Sequence, residues 1–464
     1  MRSSAFLAIA VWFVWSYGVA LQAIAQRPPN VILIYADDLG WGDLGCYGHP
    51  TIRTPHLDQI ALQGARFTQF YSAAEVCTPS RAALLTGRYA VRSGMAHNQF
   101  RVLRNASAGG LPKEERTIAE MLHEHGYTTG CIGKWHLGHL ARHLPLKHGF
   151  DSYFGLPYSN DMKPASNAPK GREKFFQENN AFWKSPLIRD ETIIEEQPQQ
   201  ALLTRRYTEE AQAFIQTNQS RPFFLYFPHT FPHVPLFASE SFRGKSKAGI
   251  YGDVVEEIDW SVGQILKTLR ECKLEENTLV IFSSDNGPWL IFNDHGGSAG
   301  PLREGKGSTW EGGMRVPGIF YWPGKVQPGT RYEMACTMDV MPTLAALVGE
   351  TPSEARPWDG VNIMPILEKN VAVERPPFFY YRGTQIYAVR KGPWKAHFQT
   401  KTGYGNDPLV QHDPPELYQI EVDASERFNV ASQHPEIIDD LKQEVERHRK
   451  TIVEVPNQLA DLEP

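Results

Sequence analysis

Val31-Ile32-Leu33-Ile34-Tyr35-Ala36-Asp37-Asp38 is a run of apolar residues that ends in two carboxylates. A strand with one wet face alternates apolar and polar side chains. This one does not, so it reads as a strand buried on both faces of a mostly parallel sheet. Runs of the same kind recur at 128–132, 223–227, 278–284 and 318–322, and helical patterns at 57–63, 118–125, 206–217 and 255–271 lie between them. Strands alternating with helices specify an α/β protein with a large, mostly parallel or mixed central sheet flanked by helices. Loops from several strands converge beyond the carboxyl ends of such a sheet. Asp37 and Asp38 therefore stand where chemistry is expected.

The pattern changes near residue 370. Phe378-Phe379-Tyr380-Tyr381, 387–390 and 394–398 read as short antiparallel strands, and Pro435 opens a helix with Ile437, Ile438, Leu441 and Val445 on one stripe. The expected division is a catalytic domain over 26–369 and a smaller C-terminal subdomain over 370–464. The polar segment 160–200, with Phe175, Phe176, Phe182 and Trp183, reads as a long surface insertion whose aromatics either stack on a ligand or form a small core of their own.

The 464 residues are 41% hydrophobic and 21% charged, which fits a large globular chain. A formal charge of -5 supplies no basic footprint for nucleic acid. Arg2, an apolar run over 5–21 and Ala23-Ile24-Ala25 read as a signal peptide over 1–25, with an uncleaved anchor as the alternative. The mature protein is then exported, to a periplasm or the extracellular space, or to a lysosome in a eukaryote. No stable membrane association is expected after cleavage. Five cysteines are few for an exported chain, and the odd count leaves at least one thiol unpaired or altered. Asn105-Ala-Ser107 and Asn218-Gln-Ser220 matter only if the host glycosylates.

Chemistry-bearing residues are grouped in a few short segments. Cys77-Thr78-Pro79-Ser80-Arg81 precedes Ala82-Ala83-Leu84-Leu85, and on composition alone it could be a small buried cysteine opening an amphipathic helix. Asp285-Asn286-Gly287 follows another buried strand, and with Asp37 and Asp38 it offers hard oxygen donors suited to Ca²⁺ or Mg²⁺. Either pair alone is common turn chemistry. After the strand at 128–132, Gly133-Lys134-Trp135-His136 would place Lys134 and His136 on one face if it stays extended, with Trp135 behind. His233 lies in Phe231-Pro232-His233-Val234-Pro235 near a decoy, His229. Lys306 lies in a glycine-rich loop, Gly305-Lys306-Gly307-Ser308-Thr309-Trp310-Glu311-Gly312-Gly313, whose glycines would let backbone approach a ligand.

Taken together these segments resemble the sulfatase family, of the arylsulfatase A and N-acetylgalactosamine-6-sulfatase type, within the alkaline-phosphatase-like superfold. Gly155-Leu156-Pro157-Tyr158-Ser159-Asn160-Asp161 strengthens the resemblance. It implies that Cys77 is converted by a formylglycine-generating enzyme to an aldehyde, whose hydrate attacks sulfur. It further implies that Asp37, Asp38, Asp285, Asn286 and the modified Cys77 hold one divalent cation, Ca²⁺ before Mg²⁺. Arg81 belongs to the catalytic set. Lys134 steadies the hydrate and touches substrate, and His136 removes the proton that releases sulfate. His233 and Lys306 hold the sulfate, one of them protonates the leaving oxygen, and Ser159 contacts substrate. The implied activity is hydrolysis of sulfate monoesters, aryl sulfates in vitro and sulfated sugars or glycans in nature. Two rivals remain at this stage, a metal-dependent phosphatase or phosphonate hydrolase of the same superfold and a silent sulfated-glycan binder. Asn286, where zinc relatives need histidine, argues against the two-metal members.

Overall fold

The computed structural model describes residues 27–462, so the signal-peptide expectation at 1–25 lies outside the described residues. The opening run forms β1 (Asn30–Ala36), buried at every position. It is followed by β2 (Ala65–Tyr71), β3 (Thr128–Ile132), β4 (Ser152–Gly155), β5 (Leu187–Arg189), β6 (Thr192–Glu195), β7 (Phe223–Pro228), β8 (Thr278–Ser284), β9 (Arg315–Tyr321), β10 (Gly329–Arg331) and β11 (Ala335–Cys336). These build one sheet in the order β10-β2-β9-β8-β1-β7-β3-β4-β5-β6, with β11 beside β2. β1 pairs in parallel with both β7 and β8, and β3 with both β7 and β4. β9 runs antiparallel to β8 and β2. The sheet is thus mixed, parallel at its centre.

β1 shows why the absence of alternation was diagnostic. Val31, Leu33 and Tyr35 enter one hydrophobic cluster, Ile32, Ile34 and Ala36 another, and both clusters need apolar residues. The second cluster is closed by α1 (Pro55–Gln63), α4 (Leu203–Thr217) and α5 (Gly249–Glu271). The first is closed by α2 (Cys77–Thr86), α3 (Ile118–Glu124) and the helix Val340–Val348. Helices therefore cover both faces of the sheet. α3 starts where Thr117 and Glu120 form a reciprocal capping box, which satisfies two otherwise unpaired donors.

A separate antiparallel sheet runs β12 (Phe378–Arg382), β13 (Gln385–Lys391), β14 (Trp394–Thr400) and β15 (Val410–Gln419). The helix Pro435–Arg449 lays Ile438, Leu441 and Val445 into a third cluster with Phe378, Tyr380 and Val389, which also takes in Tyr71 and Ala83 from the larger unit. All five cysteines are free. No helix of the described residues is long and apolar enough to cross a membrane.

In the insertion, Trp183 is buried, and Phe175 and Phe182 pack against the second cluster. Trp183, Phe175 and Phe182 thus join the main core while Phe176 is exposed, and β5 and β6 extend the sheet edge.

Candidate active site

Strand direction brings the singled-out residues to one edge. β1, β8, β7, β3 and β4 run parallel and release Asp37 and Asp38, Asp285 and Asn286, His233, Lys134 and His136, and Ser159 beyond their carboxyl ends. β2 points the same way and leads into Cys77. The reversal of β9 puts its amino end there as well, and the segment before it carries Lys306.

Cys77 is the first residue of α2, and Arg81 lies one turn on, so both face inward. The Arg81 guanidinium is fully buried; Nε and Nη2 donate to Asp285 Oδ2 at 3.0 and 2.7 Å, and Nη1 donates to the Lys134 carbonyl at 2.9 Å. Its Nη2 also lies 3.6 Å from Asp37 Oδ1. Lys134 Nζ donates to Asp37 Oδ2. Lys306 Nζ donates to both oxygens of Asp38 at 2.6 and 2.8 Å, and Asn286 Nδ2 donates to Asp38 Oδ1 at 2.7 Å. Burial works against charge on Lys306, but Asp38 outweighs it and holds the lysine well above its usual range. Each carboxylate of the site therefore has its own cation.

The condition that Lys134–His136 stays extended is not met at His136. β3 ends at Ile132, and His136 takes φ 59°, a left-handed conformation that extended backbone excludes. Gly133 makes the turn possible: at φ 129° a Cβ there would stand 1.8 Å from the Pro228 carbonyl, which accepts from the Lys134 N–H at 2.7 Å. Trp135 does pack behind, with its indole N–H donating to His143 at 2.8 Å. His136 Nε2 donates to the Leu103 carbonyl at 2.9 Å, so the neutral ring presents the lone pair of Nδ1, which is buried without a partner. Burial, then Lys134, pushes His136 well below the usual range.

His233 Nδ1 donates to the Val234 carbonyl, leaving Nε2 to face Asp38 Oδ2 at 3.7 Å. Ser159 Oγ stands 3.3 Å from His233 Nδ1. Burial, then Lys306 and Lys134, pushes His233 well below the usual range. His229 is buried against Phe227, and neither ring nitrogen has a hydrogen-bond partner. In the Lys306 loop the glycines meet protein rather than leaving room for a ligand; a Cβ on Gly312 would stand 2.1 Å from the Glu304 carbonyl.

Cys77 Sγ and carboxylate oxygens of Asp37 and Asp285 lie within 4.8 Å of one another. Burial, against the pull of Lys134 and Lys306, pushes the thiol up to about 11. Near neutral pH it is a protonated thiol and a poor nucleophile.

Sequence reasoning did not find the clamp behind the Lys306 loop. Lys395 Nζ, on β14, is fully buried and reaches Glu311 Oε1 at 3.0 Å, Glu426 Oε1 at 2.8 Å and the Thr309 carbonyl at 2.9 Å. His397 Nε2 meets Glu426 at 2.6 Å, and Glu426 Oε2 accepts from the Glu311 N–H at 2.7 Å. Burial opposes charge on Glu311, but Lys395 and Arg315 hold it down to about 2. Arg101 adds a second tie, donating to Glu75 at 2.8 Å and to Gly307 at 3.1 Å. Glu311 lies in the glycine-rich run, but nothing marked its partner Lys395, which is 84 residues away.

The Sulfatase family model matches residues 29–350, and a model described as the C-terminal region of aryl-sulfatase matches 373–464. The chain is 42% identical over 454 residues to arylsulfatase A of Homo sapiens, covering 92% of this chain and 88% of that one. It is 40% identical over 474 residues to N-acetylgalactosamine-6-sulfatase of Canis lupus familiaris, covering 94% and 88%. Among solved structures it is similar to Ps i-CgsB in complex with k-i-k-neocarrahexaose, with TM-score 0.78, 32% identity, and 94% and 95% of the two chains covered. Because the matched region takes in every residue gathered at this sheet edge, the chain belongs to the sulfatase family and is a sulfuric ester hydrolase.

Proposed function

We propose that Cys77 is converted to formylglycine, and that Asp37, Asp38, Asp285, Asn286 and the converted residue hold one divalent cation, Ca²⁺ before Mg²⁺, to cleave sulfate monoesters. The observation that carries this reading is Cys77 itself, a buried and protonated thiol at the focus of a cationic and carboxylate cage that would be idle around it. The residues fit a hard cation. Asp37 Oδ1 and Asn286 Oδ1 are buried acceptors without a hydrogen-bond donor, and carboxylate and amide oxygens are the donors that Ca²⁺ and Mg²⁺ take. With three carboxylates balanced by Arg81, Lys134 and Lys306, a divalent cation leaves the pocket positive and selective for an anion.

When present, the hydrated aldehyde supplies one hydroxyl to attack sulfur and a second whose deprotonation expels sulfate, and the cation supplies charge that orients the sulfate oxygens. The protein's own groups do the rest. Arg81 fixes Asp285 and the Lys134 backbone, so the cage is set before substrate arrives. Lys134 and Lys306 hold sulfate oxygens. His136 offers Nδ1 as the proton acceptor for sulfate release. His233 Nε2 or Lys306 gives a proton to the departing oxygen, and Ser159 orients the His233 ring.

The natural substrate is a sulfated sugar or glycan, a class named for the relatives. The chain is exported, and its maturation requires a formylglycine-generating enzyme. The working division is a catalytic domain over 26–369 and a C-terminal subdomain over 370–464. Mass spectrometry of the peptide containing Cys77, from protein made in its native host, tests the reading. Formylglycine is expected there, and an intact thiol in active protein refutes the mechanism. Turnover of an aryl sulfate over the matching aryl phosphate is expected in the same preparation.

A further inference from the structure

The insertion aromatics pack on Phe292, His295 and the second cluster, and a different pair of rings lies beside Lys306 and His233. Trp289 follows Asp285-Asn286-Gly287-Pro288 directly, and its ring lies 4.3 Å from Lys306 Nζ and 5.3 Å from the His233 ring. Tyr404, in the loop between β14 and β15, lies 5.0 Å from Trp289. Phe175 and Phe176 pack on Phe292, and Phe292 packs on Trp289 at 4.8 Å, so the insertion buttresses Trp289 from behind. Arg101 sits over the Tyr404 ring at 5.3 Å and approaches the Gly403 carbonyl, which ties the loop to the Cys77 and Lys306 segments. Trp289, Tyr404 and Lys306 line a cavity of about 170 Å³, together with Leu290, Ile291, Thr402, Asp407 and Glu304. The buried indole Nε1 of Trp289 has no hydrogen-bond partner.

We propose that Trp289 and Tyr404 form the leaving-group pocket and select a single six-membered ring esterified to the sulfate. The inference rests on the reading of Lys306 as a sulfate ligand. An ester whose sulfate touches Lys306 must place its organic part beside that lysine, and the aromatic-lined cavity lies there. Its size suits one ring. Aromatic faces stack on a sugar or an arene, and the polar lining of Thr402, Asp407 and Glu304 offers hydroxyl partners, which favours a sugar. The acidic pair Asp407 and Glu304 disfavours a second anionic group on that ring. The pocket is completed only by a loop of the C-terminal sheet, so that sheet takes part in choosing the substrate.

The test compares ligands with and without a ring on Tyr404→Ala, Tyr404→Phe and Trp289→Phe. Inorganic sulfate, assayed as a competitive inhibitor, reports the sulfate site alone. Tyr404→Ala is expected to raise KM for galactose 6-sulfate about tenfold, the loss of one aromatic contact. Its inhibition by inorganic sulfate should weaken less than about threefold. Tyr404→Phe and Trp289→Phe keep a ring and should stay close to wild type in KM. The proposal is overturned if the inorganic sulfate constant rises as much as KM, or if Tyr404→Ala leaves KM for galactose 6-sulfate unchanged. In both cases wild-type turnover leaves the sulfatase reading intact; wild-type protein that hydrolyses neither galactose 6-sulfate nor 4-nitrophenyl sulfate refutes that reading instead.

Discussion

Replacing His233 by alanine separates substrates by how badly their leaving group needs a proton. Val234 engages Nδ1, so Nε2 is the only ring nitrogen directed at the cage. In the free enzyme burial, Lys306 and Lys134 keep the ring neutral. An anion arriving about 4 Å away contributes roughly 4 kcal/mol at an effective dielectric constant of about 20. That is about three pK units in the direction that favours the protonated, acid form of the imidazole. The demand for that acid depends on the substrate. A phenol has a pKa of about 10 and an alcohol lies nearer the roughly 15.7 of water, a gap worth up to about 8 kcal/mol if charge develops fully. His233→Ala is therefore expected to cut kcat/KM for galactose 6-sulfate by roughly 10²- to 10⁴-fold, the usual worth of general acid catalysis. The loss on 4-nitrophenyl sulfate should stay within about tenfold, since a nitrophenolate departs without a proton. His229→Ala is the comparator, because His229 is buried next door and is not aimed at the cage; it should slow both substrates alike. Equal losses on both substrates for His233→Ala would refute the acid role and transfer it to Lys306.

Two other perturbations probe how the fold supports the site. Lys395→Met leaves Glu311 and Glu426 buried without their shared cation, and it should cost about 3–5 kcal/mol in urea unfolding; a change below about 1 kcal/mol would show that the cluster is not held by charge. His448 stacks on Phe379 at 3.8 Å and meets the Tyr381 hydroxyl at 2.8 Å, and burial lowers it from 6.5 to about 4. A folded pKa below the unfolded value means fewer protons bound when folded, so its contribution is present above pH 6.5 and is lost as pH falls from 6.5 toward 4. The loss should approach about 3 kcal/mol, and His448→Gln should flatten the pH dependence of the urea midpoint over that window; an unchanged slope would exclude His448 as its source.

The sequence by itself determined whatever local periodicity and short-range spacing control. β1 was legible because a strand buried on both faces cannot alternate, and Cys77 with Arg81 because one helical turn separates them. The sulfatase signatures were legible for the same reason, since each is a contiguous run. β4, β5 and β6 were not, because strands of three or four residues carry too little pattern to outweigh turn residues. The backbone at Lys134–His136 was left open by the sequence, because the turn depends on Gly133 at φ 129° lying against the distant Pro228 carbonyl, and His136 takes a left-handed φ of 59°. Tertiary structure alone decided the rest. The reversal of β9 brings Lys306 to Asp38, and burial keeps Cys77 a thiol. Lys395, Glu311 and Glu426 meet, as do Trp289 and Tyr404, only because the C-terminal sheet docks beside the Lys306 loop. Such pairings depend on strand order and on the low dielectric of the interior, and neither is written in any one stretch of chain.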